Sequence, residues 1–233
     1  MNSMPFATKP SRRQARFILS LPKGVALVAA LAVAAPAALL APLAPAAAQS
    51  ADQVLDQTVG ALRAIGTMTA DFTQTDRNGR TVRGVLTLKR PGKIRFEYAK
   101  GVNMLLVSDG KALTFIDYDV KQKQRWPIGN SPLGALLDPN RDVKKYGRVV
   151  PTGSPDVYSI EVRDPKRPEY GVITLIFIKD GASPGGLKLT SWVALDAKNQ
   201  RTTVRLTNQR YGMAIPDSAF SYRDPTPSSH RPG

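Results

Sequence analysis

Apolar and polar residues alternate along most of the chain between residues 68 and 211, and this period of two is typical of β-strands. Polar segments such as "RNGR" and "SDGK" interrupt the alternation at short intervals, which indicates antiparallel strands joined by hairpins. The pattern predicts one large antiparallel sheet. Its eleven predicted strands are residues 68–76, 81–90, 93–99, 102–108, 111–117, 121–128, 143–150, 157–163, 170–179, 187–196 and 200–211.

Two segments have the period of a helix instead. The first, "SADQVLDQTVGALRAIG", has apolar residues at helical spacing, a capping box of Ser50 and Gln53, and Gly66 as the predicted C-cap. The second, "SPLGALLDP", begins with Ser131 as N-cap and Pro132 at the first helical position, which predicts a short helix. These helices are too small to cover eleven strands.

An open sheet of that width tends to curl. We therefore predict a mainly β (α+β) fold, in which a curled antiparallel sheet or half-barrel of about eleven strands is covered by short helices. The helices act as a lid, and the apolar inner face of the sheet is only partly filled. The fold class predicted from the sequence thus includes an apolar cavity.

Residues 1–48 have the layout of an export signal, because the basic segment "SRRQAR" precedes the uncharged, alanine-rich residues 24–48. Ala46 and Ala48 supply the small residues for cleavage after Ala48. The alternative is a retained anchor, since residues 24–48 are long enough to cross a bilayer of about 30 Å. Pro36 and the scarcity of large apolar residues favour removal. Both Sec and twin-arginine export stay open.

The remaining chain is predicted to be one domain, residues 49–222, followed by a flexible tail, residues 223–233. A turn of helix is expected from Asp217. The full chain has a formal net charge of +15 and no cysteine. The charge suits anionic headgroups or acidic partners. The absence of cysteine excludes a thiol enzyme, a cysteine metal site and acylation of this chain as a lipoprotein.

The usual chemistry of enzymes is missing from the domain. The one histidine, His230, lies in the predicted tail, so neither a Ser-His-Asp arrangement nor a histidine metal site has support. Asp117 and Asp119 in "DYD" are better explained as hairpin turn residues than as cation ligands. No glycine-rich phosphate loop joins a strand to a helix. We predict a protein that is not an enzyme and has no metal or cofactor.

The stretch "KRPGKIRFEY" mixes cations with aromatic residues, as nucleic-acid-binding surfaces do. Alternation places its cations and aromatic residues on opposite faces of one strand, however, and an exported protein does not meet nucleic acid. Lys93, Arg95 and Glu97 are predicted on a solvated outer face, with Ile94, Phe96 and Tyr98 on the inner face. We therefore predict no nucleic-acid partner.

Arg90 follows the inner-facing residues Leu86 and Leu88 in the alternation of its strand. A buried guanidinium needs acceptors, and the free carbonyls at a helix end would supply them. Alternatively, the strand ends at Lys89 and Arg90 reaches solvent. Alternation alone leaves these two possibilities equal.

The sequence resembles the LolA family, the periplasmic carriers of outer-membrane lipoproteins in Gram-negative bacteria. The resemblance rests on "MTADFTQ" (68–74), "GVLTLKRPGKIRFEY" (84–98), "LLVSDGKAL" (105–113) with "FIDYDVKQ", and "SPLGALL" (131–137). It implies a half-barrel with lid helices over a cavity for acyl chains, and it assigns to Arg90 the role of latching the lid through helix carbonyls. The chain departs from the family pattern at Thr114, where many members have an aromatic residue, and in its short tail.

On this basis we expect a set of cavity and lid residues. The cavity-lining residues are Leu86, Leu88, Ile94, Phe96, Met104, Leu106 and Phe115, and the lid residues are Leu55, Val59, Leu62 and Leu136.

The expected partners are acylated lipoproteins, an inner-membrane ABC transporter (LolCDE-like) and, if present, an outer-membrane acceptor (LolB-like). We expect a periplasmic monomer. Two other functions stay open: a carrier of another lipid, such as a hopanoid or glycolipid, and a LolA-like sensor domain that regulates an envelope stress response.

Overall fold

The computed structural model describes residues 49–129 and 131–225, and these residues form one eleven-stranded antiparallel sheet with short helices. The strands are β1 Thr67–Thr75, β2 Thr81–Lys89, β3 Lys93–Tyr98, β4 Met104–Asp109, β5 Ala112–Asp117, β6 Gln122–Pro127, β7 Gly147–Val150, β8 Val157–Arg163, β9 Val172–Lys179, β10 Leu187–Leu195 and β11 Arg201–Tyr211. All eleven predicted strands are confirmed. The predicted export signal, residues 1–48, and residues 226–233 with His230 lie outside the described residues.

The order of the strands is β6-β5-β4-β3-β2-β1-β11-β10-β9-β8-β7. Two meanders, β1 to β6 and β7 to β11, are thus joined by the pairing of β1 with β11. The bounds of β7 were predicted too long, because Tyr146 N–H bonds to Val143 O at 3.1 Å in a turn before the strand. Strand β9 starts later than predicted because Pro168–Tyr170 forms a 3-10 helix.

The sheet is strongly curled, as predicted. Strands β3 and β10 are four positions apart, which is about 19 Å in a flat sheet. The rings of Phe96 on β3 and Trp192 on β10 are nevertheless only 5.9 Å apart between centroids. The inner face is therefore concave, and residues from distant strands meet across it.

The first helix, α1 (Ala51–Ala64), has the predicted capping box. Gln53 N–H bonds to Ser50 Oγ at 3.2 Å, and Ser50 N–H bonds to Gln53 Oε1 at 2.9 Å. The prediction of Gly66 as C-cap is wrong, because Ile65 ends the helix in an extended conformation. The chain enters β1 directly at Thr67 and needs no left-handed turn there.

The second helix, α2 (Pro132–Leu137), lies over the inner face and begins as predicted. Ser131 Oγ accepts the N–H of Gly134 at 3.1 Å, and Pro132 occupies the first turn. Five of its residues are buried: Pro132, Gly134, Ala135, Leu136 and Leu137. This helix is therefore apolar nearly all round, as expected of a small element packed into a core.

Residues 213–225, which we call the C-terminal strap, cross the outer face of the sheet. Phe220 packs there in a small buried cluster with Leu105, Val107 and Ile116. The turn of helix expected from Asp217 is present as a 3-10 helix, Asp217–Phe220. Strands β4 and β5 have apolar residues on both faces, so their outer face also needs a cover.

The strap is held by the cations that were predicted to be solvated. Lys93 pairs with Asp217 at 2.9 Å, and Arg95 Nη1 bonds to Ser221 O at 2.9 Å. The prediction of a fully solvated outer face is therefore wrong for these two residues. Beyond them, Asp224 pairs with Lys123, so the chain still contacts the sheet after residue 222.

We predict that the strap detaches in acid. Lys89 and Lys93 hydrogen-bond the carboxylate of Asp217 and lower its pKa from 3.8 to about 2. A carboxylate with a lowered pKa in the folded state stabilises that state fully above its unfolded pKa, and the contribution is lost as pH falls through the folded value. NMR titration of the Phe220 ring should therefore show release between about pH 4 and pH 2.

The control for this titration is Asp217→Asn, which cannot form the charged pairs. Its Phe220 resonances should already show a loosened strap at pH 5 and should change little on further acidification. If the wild-type transition were centred near pH 4, and not near the lowered pKa of about 2, the two lysines would not hold the strap through Asp217.

Candidate functional site

A cavity of about 230 Å³ lies between the lid helices and the inner face of the sheet. Its lining contains only one charged residue, Arg90, and is otherwise apolar. The lining residues are Leu62, Met68, Leu86, Leu88, Arg90, Ile94, Phe96, Leu106, Leu113, Leu133, Leu136, Leu137, Ile173, Leu175, Leu189, Trp192 and Ala194.

Most of the expected cavity residues line this cavity. Leu86, Leu88, Ile94, Phe96 and Leu106 are among them, together with Leu62 and Leu136 of the lid helices.

Four expected residues lie elsewhere. Met104 and Phe115 are half-buried outside the cavity. The cavity reaches their strands at Leu106 and Leu113, each two residues away on the same face. Leu55 and Val59 are buried in the core, where α1 contacts β7 and β8. They fix the position of the lid helix without reaching the cavity.

The second meander supplies lining residues that the sequence analysis did not name. Ile173 and Leu175 come from β9, and Leu189, Trp192 and Ala194 come from β10. The alternation in these strands was a usable signal, since Leu175 and Trp192 are paired and share the inner face. Which meander faces the lid, however, depends on how the sheet curls.

Arg90 lies just after β2, and both possibilities considered for it are partly right. The strand ends at Lys89, but the guanidinium turns inward, and its Nη1 donates to the carbonyl of Leu136 at the end of α2. The neighbouring Gly92 N–H donates to Leu137 O at 2.9 Å. The β2–β3 loop therefore satisfies two carbonyls that a helix C-terminus leaves free.

The charge of Arg90 is partly compensated by the lid. Burial lowers the pKa of Arg90 from 12.5 to about 10, and the nearby carboxylate of Asp138 acts in the opposite direction. The guanidinium therefore remains charged at neutral pH. A charged donor to a helix-terminal carbonyl is also the favourable sign for the helix dipole.

The two lid elements are joined to each other. Arg63 of α1 donates from Nε to Pro139 O at 2.8 Å, and Asp56 of α1 pairs with Lys144. Residues 132–144 therefore have their own contacts with α1, in addition to those with the β2–β3 loop. Movement of α2 would disturb both sets.

Other kinds of site find little support. Residues 49–129 and 131–225 contain no group of three or more His, Cys, Asp or Glu side chains that could hold a metal ion. Asp117 Oδ1 accepts the N–H of Asp119 at 3.0 Å, which is a local turn contact. In the same residues, the helices are too short or too polar to span a bilayer.

The family model for "Outer membrane lipoprotein carrier protein LolA" matches residues 63–223. The chain belongs to the LolA family. A relative from Bordetella avium, named outer-membrane lipoprotein carrier protein, is 32% identical over 76% of this chain and 86% of its own length. One of the same name from Dechloromonas aromatica is 29% identical over 73% of this chain and 84% of its own. The resemblance seen in the sequence is confirmed.

The solved structures to which this chain is similar are more distant in sequence. A LolA superfamily protein from Nitrosomonas europaea has a TM-score of 0.44 and 11% identity, covering 75% of this chain and 99% of the other. The MucA/MucB complex of Pseudomonas aeruginosa has a TM-score of 0.41 and 14% identity, covering 74% and 60%. LolA-family proteins are carriers, which fits the absence of enzyme motifs in this sequence.

Proposed function

We propose that this protein is a periplasmic carrier that binds the acyl chains of lipoproteins in its cavity and moves them from the inner to the outer membrane. The observation that carries the proposal is the apolar cavity, whose one charged lining residue, Arg90, hydrogen-bonds the helix that covers it. Curated LolA relatives named as outer-membrane lipoprotein carriers support the choice of cargo. Residues 1–48 are proposed to be the export signal.

The cavity is small in this structure. A volume of about 230 Å³ is below the range of roughly 300–1,000 Å³ typical of ligand pockets. An acylated cargo therefore requires the lid to move, and Arg90 must then give up Leu136 O. We propose that this contact is the latch and that binding of cargo competes with closure of the lid.

The free-energy cost of exposing acyl chains to water requires that cargo pass directly from one protein site to another. Each buried CH₂ contributes about 0.8 kcal/mol, so several acyl chains together represent tens of kcal/mol against water. Cargo of this kind is not released into solution. The partners are therefore proposed to be an inner-membrane ABC transporter (LolCDE-like) that loads the carrier and an outer-membrane acceptor (LolB-like) that unloads it.

We expect the processed protein to extract an acylated lipoprotein from inner-membrane vesicles that contain the transporter, in the presence of ATP. The lipoprotein should appear in the supernatant as a complex with the carrier, detected by gel filtration and immunoblotting. A non-hydrolysable ATP analogue is the control. If no lipoprotein leaves the vesicles, the carrier proposal is wrong.

The chemical identity of the cargo can be read from the protein purified from its own periplasm. Mass spectrometry of bound lipids should find an acylated cysteine peptide. Recovery of a hopanoid or a glycolipid would instead identify a carrier of another lipid, and recovery of a regulatory protein without lipid would favour the sensor.

A further inference from the structure

Two buried side-chain atoms of opposite character lack a hydrogen-bond partner in the part of the chain that the structure describes. They are Nε of Arg90, a donor, and Oδ1 of Asp138, an acceptor. Leaving a buried donor or acceptor unpaired is unfavourable, more so when the group is charged. These atoms belong to residues whose charges interact, because the carboxylate of Asp138 raises the pKa of Arg90 against the effect of burial.

Asp138 belongs to the lid and lies directly after α2. Its N–H bonds to Gly134 O at 2.9 Å, so its backbone closes the last turn of the helix. Its Oδ2 accepts from Arg141 Nε at 3.3 Å, a long contact, and its side chain is 23% exposed. Arg141 thus takes one carboxylate oxygen and leaves the other directed into the protein.

We propose that Asp138 is a positioning residue for Arg90 and supplies the counter-charge that keeps the lid closed. The assignment rests on the proposed latch role of Arg90, but not on the identity of the cargo. Leu136 O offers the guanidinium one neutral acceptor, whereas Asp138 offers a full negative charge on the same short segment. Because both groups belong to the end of α2, opening of the lid removes both from Arg90 together.

This arrangement explains how a cation is tolerated in an apolar cavity. A buried charge needs a partner, and among the described residues Asp138 is the one whose charge stabilises the Arg90 cation. A carbonyl alone would hold the guanidinium in a range of lid positions. A carboxylate two residues further along favours one position, in which Nε of Arg90 and Oδ1 of Asp138, which have no direct partner, are bridged by a water molecule.

The test is Asp138→Asn, which keeps the shape of the side chain and removes its charge. We expect an apolar fluorescent probe to enter the cavity about tenfold faster, measured by stopped-flow fluorescence, because the attraction between the two charges in the closed state is lost. Amide exchange at Gly92, whose N–H bonds to Leu137 O, should accelerate as well. Asp142→Asn, at an exposed position of the same segment, is the matched control and should behave like the wild type.

A double-mutant cycle separates positioning from general stability. In an Arg90→Leu background, Asp138→Asn should produce no further acceleration, since its counterpart is gone. Asp138→Glu should restore much of the slow uptake and also guards against a folding defect in the Asn variant. The proposal would be overturned if Asp138→Asn took up the probe at the wild-type rate. It would also be overturned if Asp138→Asn accelerated uptake equally in the wild-type and Arg90→Leu backgrounds. The probe needs neither vesicles nor lipoprotein, so failure here is distinguishable from failure of the carrier function.

Discussion

Arg90→Leu is expected to hold acylated cargo more tightly than the wild type and to pass it on poorly to an acceptor. In the proposed mechanism the closed lid competes with cargo, so the apparent dissociation constant is the intrinsic constant divided by the open fraction. Removal of the contact with Leu136 O raises the open fraction. The leucine also adds apolar surface to the cavity wall, which favours the bound state further.

The expected effect is about tenfold or more, because hydrogen bonds to charged groups contribute about 1.5–3 kcal/mol. It is measured as the fraction of bound lipoprotein that moves from the loaded carrier to outer-membrane vesicles with time. Arg83→Leu is the matched control, since Arg83 is an exposed residue of the same strand. Transfer by Arg90→Leu at the wild-type rate would contradict the latch.

The sequence predicted the elements well because their signals are local. Alternation marked every strand, and the side chains of Ser50 and Gln53 cap a helix within four residues of each other. The sequence could not decide where the side chain of Arg90 points. The end of its strand depends on neighbouring residues, but the acceptor of its hydrogen bond is distant in the sequence. Its partner, Leu136, is 46 residues away in the sequence, and only the fold brings the two together.

Other features required the curl of the sheet and the path of the C-terminus. Lys93 and Arg95 were predicted to be solvated, but both bind the strap. The sequence of strand β3 alone does not predict these contacts. Likewise, Phe115 is on the correct face of its strand, but the cavity reaches that strand only at Leu113, two residues earlier. Alternation identifies a face, whereas position along a curled sheet decides which part of that face the lid covers.

Gly134→Ala should open the lid without any change in charge. A Cβ atom at this position of α2 would lie 1.9 Å from Ile128 O and 2.9 Å from Gly129 O, and both are backbone atoms that cannot rotate away. Helix α2 must therefore shift away from residues 128–129, which disturbs its docked position, and overpacking of this kind costs about 1–3 kcal/mol or more. We expect a lower midpoint of thermal unfolding and faster entry of an apolar probe.

The control is Gly60→Ala in α1, where the added methyl group meets nothing within 4 Å. Replacement of a helical glycine in open space should stabilise the protein by up to about 1 kcal/mol. A Gly134→Ala protein as stable and as closed as the wild type would show that α2 is not docked as described.

Comparison of Gly134→Ala with Arg90→Leu isolates what the latch contributes. Both changes raise the open fraction of the lid, so both should retain lipoprotein in the transfer assay. Gly134→Ala, however, keeps the guanidinium in the cavity wall, where it is unfavourable beside acyl chains once Leu136 O and Asp138 have moved away. Retention should therefore be weaker in Gly134→Ala than in Arg90→Leu. Equal retention by the two variants would mean that Arg90 acts only by closing the lid and that its charge does not destabilise bound cargo.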